Sequence, residues 1–215
     1  MKIAELVTRR YTCKAYDPQR PLTADELQQL QAILRFSPSS VNSQPWHFFF
    51  VTSEEGKQRL LPALTEHNVQ KVLTAPLTVV IATRRELDDA HLQALLAQEE
   101  QDGRFGGNAE AQKGADTARR YYVGLNSTSA QKQQEWMARQ AYIALGFLLM
   151  GAAALDLDAT PIEGFFPEKM DAALGLEALG LKSVVVASVG HHSVDDFNAA
   201  LPKSRLPLSQ VLTQL

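Results

Sequence analysis

Cysteine is almost missing from this chain. Cys13 stands alone among 215 residues, so no internal disulfide can form and a disulfide framework is excluded. Charge of one sign is not in excess either. With 21 basic and 24 acidic residues the formal net charge is -3, which leaves no broad positive field for nucleic acid or an anionic membrane. Long apolar runs are also lacking. The apolar uncharged stretch Ala141 to Leu155 is shorter than the roughly 20 apolar residues of a membrane span, and it reads instead as a helix buried on all sides. Met1 to Arg10 has no apolar core of the kind a secretion signal carries, and a cytoplasmic location is expected.

Several site signatures are absent as well. There is no G-x-G-x-x-G and no G-x-x-x-x-G-K-[ST], so neither a separate dinucleotide domain nor a P-loop is indicated. The five histidines include the adjacent pair His191 and His192, with His47 far away. No H-E-x-x-H, C-x-x-C or carboxylate cluster accompanies them, and no metal site is expected. No G-x-S-x-G marks a nucleophile, and Cys13 has no base signalled beside it. At 45% hydrophobic residues, 215 positions can bury one sizeable core, so a single domain over 1–215 is expected.

What is present centres on Phe36 to Val51, a polar loop punctuated by Pro38 and Pro45. Proline fixes φ and removes a donor, so Pro38 should end the preceding helix and Pro45 should hold Gln44 extended. Between them Ser39, Ser40, Asn42, Ser43 and Gln44 offer hydrogen bonds in several directions, and the apolar face of Trp46 follows. Each of these is an ordinary loop residue alone. Together they suit a flat aromatic ligand with polar edges.

The remaining elements are legible in order. Ile3, Leu6 and Val7 mark a helix over 2–9 that runs into Arg9, Arg10 and Lys14. Cations at a helix end meet its dipole, but Arg10, Thr12 and Lys14 alternate, and an extended segment would aim all three at one anion. Thr23 to Glu26 is a capping box, with Leu22 and Leu27 as its hydrophobic staple. Strands are expected at Trp46–Val51, Leu77–Ala82 and Ser183–Gly190, with a short extended piece at Thr160–Gly164. A helix from Ser53 should break at Pro62, and a turn should precede its continuation over Asn68–Leu73. Residues 87–126 should form a helical lobe interrupted by the glycine-rich turn Asp102–Gly107. Further helices are expected from Glu135 onward and over Pro167–Leu174.

Taken in sequence, these pieces resemble one family along nearly the whole chain. They are Arg10-Tyr-Thr-Cys-Lys14, Ser37-Pro-Ser-Ser-Val-Asn-Ser-Gln-Pro-Trp46, Asn68 with Lys71, Asp102-Gly-Arg-Phe105, Glu135-Trp-Met137, Pro161-Ile-Glu-Gly164, Gly190-His-His192 and Leu201-Pro-Lys-Ser-Arg-Leu206. The order is similar to that of the nitroreductase family, in particular the oxygen-insensitive NAD(P)H nitroreductases that also act as dihydropteridine reductases. The resemblance implies an α+β fold with a central mixed sheet surrounded by helices, an intertwined homodimer, FMN held between subunits, and NADH or NADPH as co-substrate. It places Arg10, Thr12, Lys203 and Arg205 around the FMN phosphate and ribityl chain, and Lys14, Asn68 and Lys71 near the pyrimidine edge. Pro38, Ser39, Ser40, Asn42 and Gln140 would come from the partner subunit, and the backbone at Glu163 and Gly164 would approach flavin N5. Tyr11 and Arg104 lie within matched pieces and join the cofactor-binding set. No side-chain acid or base is implied as catalytic.

One departure concerns the acceptor. Tyr121 and Tyr122 stand where related enzymes commonly carry phenylalanines near the substrate opening. Tyr122 is expected at that mouth, and Tyr121 is expected to pack on the lobe. The implied acceptors are nitroaromatics, quinones and pteridines. The alternatives are a flavin-binding dimer without turnover, a flavin reductase of the same fold, and a structural helical dimer whose cations are only solvated surface.

Overall fold

A computed structural model describes residues 2–215. Helix α1 (Ile3–Arg9) is followed by an extended segment, then α2 (Ala24–Arg35). The capping box at α2 is made as expected: Thr23 Oγ1 accepts from Glu26 N at 3.2 Å, and the Glu26 carboxylate accepts from Thr23 N at 2.7 Å. Leu22 and Leu27 pack on the core. After the polar loop come β1 (Trp46–Val51), α3 (Glu54–Leu60), α4 (Glu66–Thr74) and β2 (Leu77–Arg84). Leu61–Ala63 forms a single 3₁₀ turn around Pro62, which explains the break between α3 and α4.

The four strands include β3 (Asp158–Ile162) and β4 (Leu181–Gly190), and they lie in the order β1-β2-β4-β3. The sheet expected to be mixed is antiparallel in all three pairings. Among the described residues parallel pairing enters only as an isolated bridge from Thr12 to Ala159, where the segment after α1 passes β3 too briefly to build a ladder. The inner strands β2 and β4 are covered on both faces. Val79, Ile81, Val185 and Ala187 meet Leu30 and Leu34 of α2 on one side, while Val80 and Val186 meet Leu60, Val72 and Met170 on the other.

The lobe consists of α5 (Asp89–Gln101) and α6 (Ala109–Asn126), joined by a turn in which Gly103, Gly106 and Gly107 take positive φ. Its own small cluster gathers Leu87, Leu92 and Val123 with Trp136 and Met137. Helix α7 (Ala130–Ala154) begins ahead of Glu135, because Ser129 Oγ caps it by accepting from Lys132 N at 3.2 Å. Met137, Ala141, Ala144, Leu148 and Ala152 face inward. The outer face was expected to be buried too, but in one chain Tyr142, Ile143 and Phe147 are 41%, 40% and 47% exposed. With Ile3, Ile33 and Met150 they line an apolar groove of about 550 Å³. By length and composition α7 could cross a membrane, yet its inner face is packed against the sheet. Helix α8 (Pro167–Leu174) opens at its proline and closes on Gly175 in the left-handed region. The chain ends with α9 (Leu208–Val211) in an exposed tail.

Candidate functional site

The extended segment after α1 brings Arg10, Tyr11 and Thr12 against the loop that carries Asn198, Lys203 and Arg205, and together they line a cleft of about 290 Å³. Lys203 Nζ donates to Val7 O at 3.0 Å and also to Arg10 O, which anchors the late loop on α1. Asn198 Nδ2 donates to Thr12 O at 2.7 Å. Burial lowers the pKa of Lys203, and Arg10 and Arg205 lower it further. Arg10 is likewise lowered by burial and then by Arg205. Among the described residues none of the three reaches a carboxylate within 4.0 Å. Like charges gathered without a counterion favour a polyanion.

Tyr11 belongs to the wall rather than to that charge cluster. Its hydroxyl donates to Asp196 Oδ2 at 3.1 Å, and the same oxygen accepts from Lys14 N at 3.2 Å. Burial, with Asp158 and Asp196 nearby, pushes the phenol well above its ordinary range, so it stays protonated. Sequence reasoning passed over Asp196 and Asn198. Their signal was faint: two polar residues in a stretch between His192 and Lys203 that had no periodicity.

Lys14 does not join Arg10 and Thr12 in the cleft, although their alternation suggested one common target. Its charge acts instead on Lys71 of α4, whose pKa is lowered by burial first and by Lys14 second. Lys71 Nζ donates to Asn68 Oδ1 at 2.8 Å, and Asn68 Nδ2 donates to Gly164 O at 3.0 Å. Thr65, which the sequence did not single out, donates to the same carbonyl from Oγ1 at 2.8 Å. A methyl group on Gly164 would stand 2.5 Å from Asn68 Nδ2 and 2.8 Å from Thr65 Oγ1, so any larger residue must displace these side chains and their bonds to the Gly164 carbonyl. Glu163 turns its side chain the other way and accepts from Tyr142 Oη at 2.5 Å. Burial and this contact push the Tyr142 phenol up to about 12.

The polar loop forms a second group. Pro38 follows the end of α2, where Ser37 Oγ closes the last turn on Ile33 O at 3.0 Å. Ser40 N donates to Gln140 Oε1 at 2.8 Å, and Gln140 Nε2 donates to Trp136 O at 3.1 Å. Gln44, expected to be extended before Pro45, has φ +40° instead. Hydrogen bonds within the loop override the preference set by the following proline: Gln44 N donates to Ser39 Oγ at 3.0 Å and Gln44 Nε2 to Asn42 Oδ1 at 3.1 Å. Asn42 Nδ2 donates to the buried Glu99 at 2.8 Å. Arg104 is largely exposed with Nε 4.0 Å from Glu99, so it stands at the lobe and not beside Arg10 or Lys71. Among the described residues no hydrogen bond joins this loop group to the cation groups within one chain.

Tyr121 and Tyr122 meet edge to face, with ring centroids 5.3 Å apart. Tyr121 was expected to pack on the lobe, but it is 62% exposed against 48% for Tyr122. Arg119 and Val123, one turn apart, take the buried face of α6 and leave both tyrosines on its flanks.

The model of the nitroreductase family matches residues 7–191. An oxygen-insensitive NAD(P)H nitroreductase of Salmonella typhimurium is 45% identical, covering 100% of this chain and 100% of that protein. The protein of the same name from Enterobacter cloacae is 42% identical with the same coverage. Among solved structures, an Exiguobacterium sibiricum protein in complex with FMN superposes with a TM-score of 0.84 at 24% identity, covering 100% of this chain and 98% of that one. The chain belongs to the nitroreductase family.

Proposed function

We propose that this chain is an FMN-dependent oxidoreductase that takes hydride from NADH or NADPH and delivers it to nitroaromatic, quinone or dihydropteridine acceptors in substituted-enzyme order. One observation carries the reading: Arg10, Lys203 and Arg205 in one place, and Lys14 with Lys71 in another, are cations without carboxylate partners among the described residues.

The donor set fits the cofactor. Arg10, Lys203 and Arg205 would hold the phosphate dianion, because charge-assisted donors are the strong ones and these have no other acid to serve. Lys14, Asn68 and Lys71 would meet the pyrimidine edge, where the two ammonium groups favour negative charge. Gly164 packs against Asn68 and Thr65, which also hold its carbonyl, so the backbone that would approach the flavin is fixed in place. Bound FMN supplies the electron-transfer chemistry, and the protein supplies binding, orientation and field. No dinucleotide fingerprint offers the nicotinamide its own place, so donor and acceptor would share one face in turn.

The working unit on this reading is a homodimer of single-domain chains. The exposed outer face of α7 supports it, and so does the separation of the loop group from the cation groups within one chain. Pro38, Ser39, Ser40, Asn42 and Gln140 would then complete the partner's site. The lone buried Cys13 agrees with work in the reducing cytoplasm.

The test is anaerobic. The purified protein should be yellow, and NADPH or NADH should bleach it stoichiometrically before a nitroaromatic, a quinone or a dihydropteridine restores the colour. A yellow protein that neither nucleotide bleaches is a flavin carrier, and the proposal then fails. Restoration of colour by free flavin alone would make it a flavin reductase.

A further inference from the structure

The polar loop is strained, and the strain has an address. Val41 and Asn42 sit at φ +49° and +51°, and Gln44 at +40°. The left-handed region is uncommon for residues with a side chain, and a β-branched valine there is a true outlier. Such a backbone persists only where its surroundings over-determine it. Asn42 is held within the loop by Ser39 O and Gln44 Nε2, and the restraints on Val41 and Asn42 from outside the loop converge on one buried ion pair in the lobe. Arg119 of α6 donates from Nη2 to Glu99 Oε1 and Oε2 at 2.6 Å each, and from Nε to Val41 O at 3.1 Å. Glu99 of α5 accepts from Asn42 Nδ2 at 2.8 Å. The exposures of Glu99 and Arg119 are 7% and 3%.

Such a pair is poorly explained as a stabiliser, because the desolvation of two charges offsets most of their attraction. Its chemistry is better explained by orientation. A carboxylate can only accept, so Glu99 fixes which end of the Asn42 amide faces the lobe and which end is offered to Gln44 Nε2. Arg119 is a rigid fork, and with both Glu99 oxygens engaged its Nε has one direction left, toward Val41 O. The two lobe helices thus grip two consecutive loop residues through one electrostatic unit.

We propose that Glu99 and Arg119 are positioning residues for the flavin ring: they hold Val41 and Asn42 in the conformation in which the loop meets the isoalloxazine, and they take no part in binding the phosphate. This rests on the reading that the loop contacts FMN.

The experiment compares the full-length protein with a double variant, Glu99→Leu with Arg119→Met, since replacing a buried pair by apolar residues of similar volume tends to preserve folding. Dissociation constants are measured for FMN and for riboflavin, alone and in the background of Asn42→Ala. The double variant should bind both flavins at least about tenfold more weakly and by the same factor. On top of Asn42→Ala, which removes only the Glu99 link, it should add a smaller factor than it costs alone, the remainder being the loss of the Arg119 hold on Val41 O. Glu99→Gln, which keeps the volume, carries the same comparison if the double variant does not fold. Wild-type affinity for FMN in these variants overturns the proposal. A full multiplicative loss on top of Asn42→Ala, or a loss confined to FMN, overturns it too. A wild-type protein that binds neither flavin removes the functional reading instead, and the two failures are distinct.

Discussion

Lys71 donates to Asn68 Oδ1 at 2.8 Å, so its ammonium group is steered by a side chain that is itself tied to Gly164 O at 3.0 Å. The cation and the tight glycine therefore move as one body. Any group docked against Gly164 meets a charge whose position has already been set, which reduces the ordering cost of binding.

A proton linkage follows from the lowered lysines. In the free protein Lys71 and Lys203 lie below the ordinary lysine value, because burial and neighbouring cations disfavour their charged forms. The unfolded chain then holds more protons between the lowered and ordinary values, so the free protein gains stability as pH rises through that alkaline window. Docking an anion reverses the shift and should draw protons in. Calorimetry of FMN binding in two buffers of different ionisation enthalpy should show lysine proton uptake in that window. Below that window the lysine uptake should fall away.

The phosphate cluster should be graded by exposure. Arg10 is partly buried and Arg205 is exposed. Arg10→Ala is expected to cost about 1.5–3 kcal/mol of FMN affinity, the range for a hydrogen bond to a charged group. Arg205→Ala should cost less, about 0.2–1 kcal/mol, because solvent screens an exposed ion pair. Riboflavin, which has no phosphate, should bind both variants almost as it binds the parent. Equal losses for the two flavins would move these arginines away from the phosphate.

Gly164→Ala isolates the tight contact. The added methyl at 2.5 Å from Asn68 Nδ2 must push Asn68 or the backbone aside, and overpacking of this kind costs about 1–3 kcal/mol. Flavin content should fall and the melting temperature should drop. Asn68→Ala leaves Thr65 Oγ1 still 2.8 Å away, so adding it to Gly164→Ala should restore only part of the loss.

The sequence was most legible where local chemistry fixes geometry. The capping box at Thr23, Pro167 at the first turn of α8 and the β-branched runs of β2 and β4 all lie where pattern placed them. The first cation cluster was legible only in part. Arg10 and Lys203 meet through Lys203 Nζ and Arg10 O, a contact 193 residues apart in sequence that no local period encodes. Gln44 departs from the expectation because Pro45 biases its neighbour weakly, and two hydrogen bonds within the loop, with two more that tie the loop to Gln140 and Glu99, outweigh that bias. Glu99 carries no local signal that separates it from Glu100 beside it. Only the packing of α5 on α6 buries it against Arg119.

The outer face of α7 should control assembly. Phe147 is 47% exposed on an apolar groove, and a charge there would have to be desolvated by a second subunit. Phe147→Lys is expected to shift sedimentation from dimer to monomer and to release flavin in the same step. A monomer that keeps its full flavin would overturn the shared site.

The acceptor mouth offers the narrowest test. Tyr122 is 48% exposed in the last turns of α6, and its hydroxyl makes no hydrogen bond to any described residue, so its removal should leave the fold intact. At the mouth the ring would stack on flat acceptors while the hydroxyl bonds a nitro or quinone oxygen. Tyr122→Phe keeps the ring and deletes only the donor. FMN content should therefore be unchanged. One neutral hydrogen bond contributes about 0.5–1.5 kcal/mol, so the ratio of kcat/KM between a nitroaromatic and a quinone should move by about twofold to tenfold. Tyr121 lies 5.3 Å away by ring centroid and is the more exposed, which makes Tyr121→Phe the matched control. If Tyr122→Phe changes no ratio while Tyr121→Phe does, the mouth belongs to Tyr121. If neither ratio changes, acceptors meet the flavin without help from this end of α6.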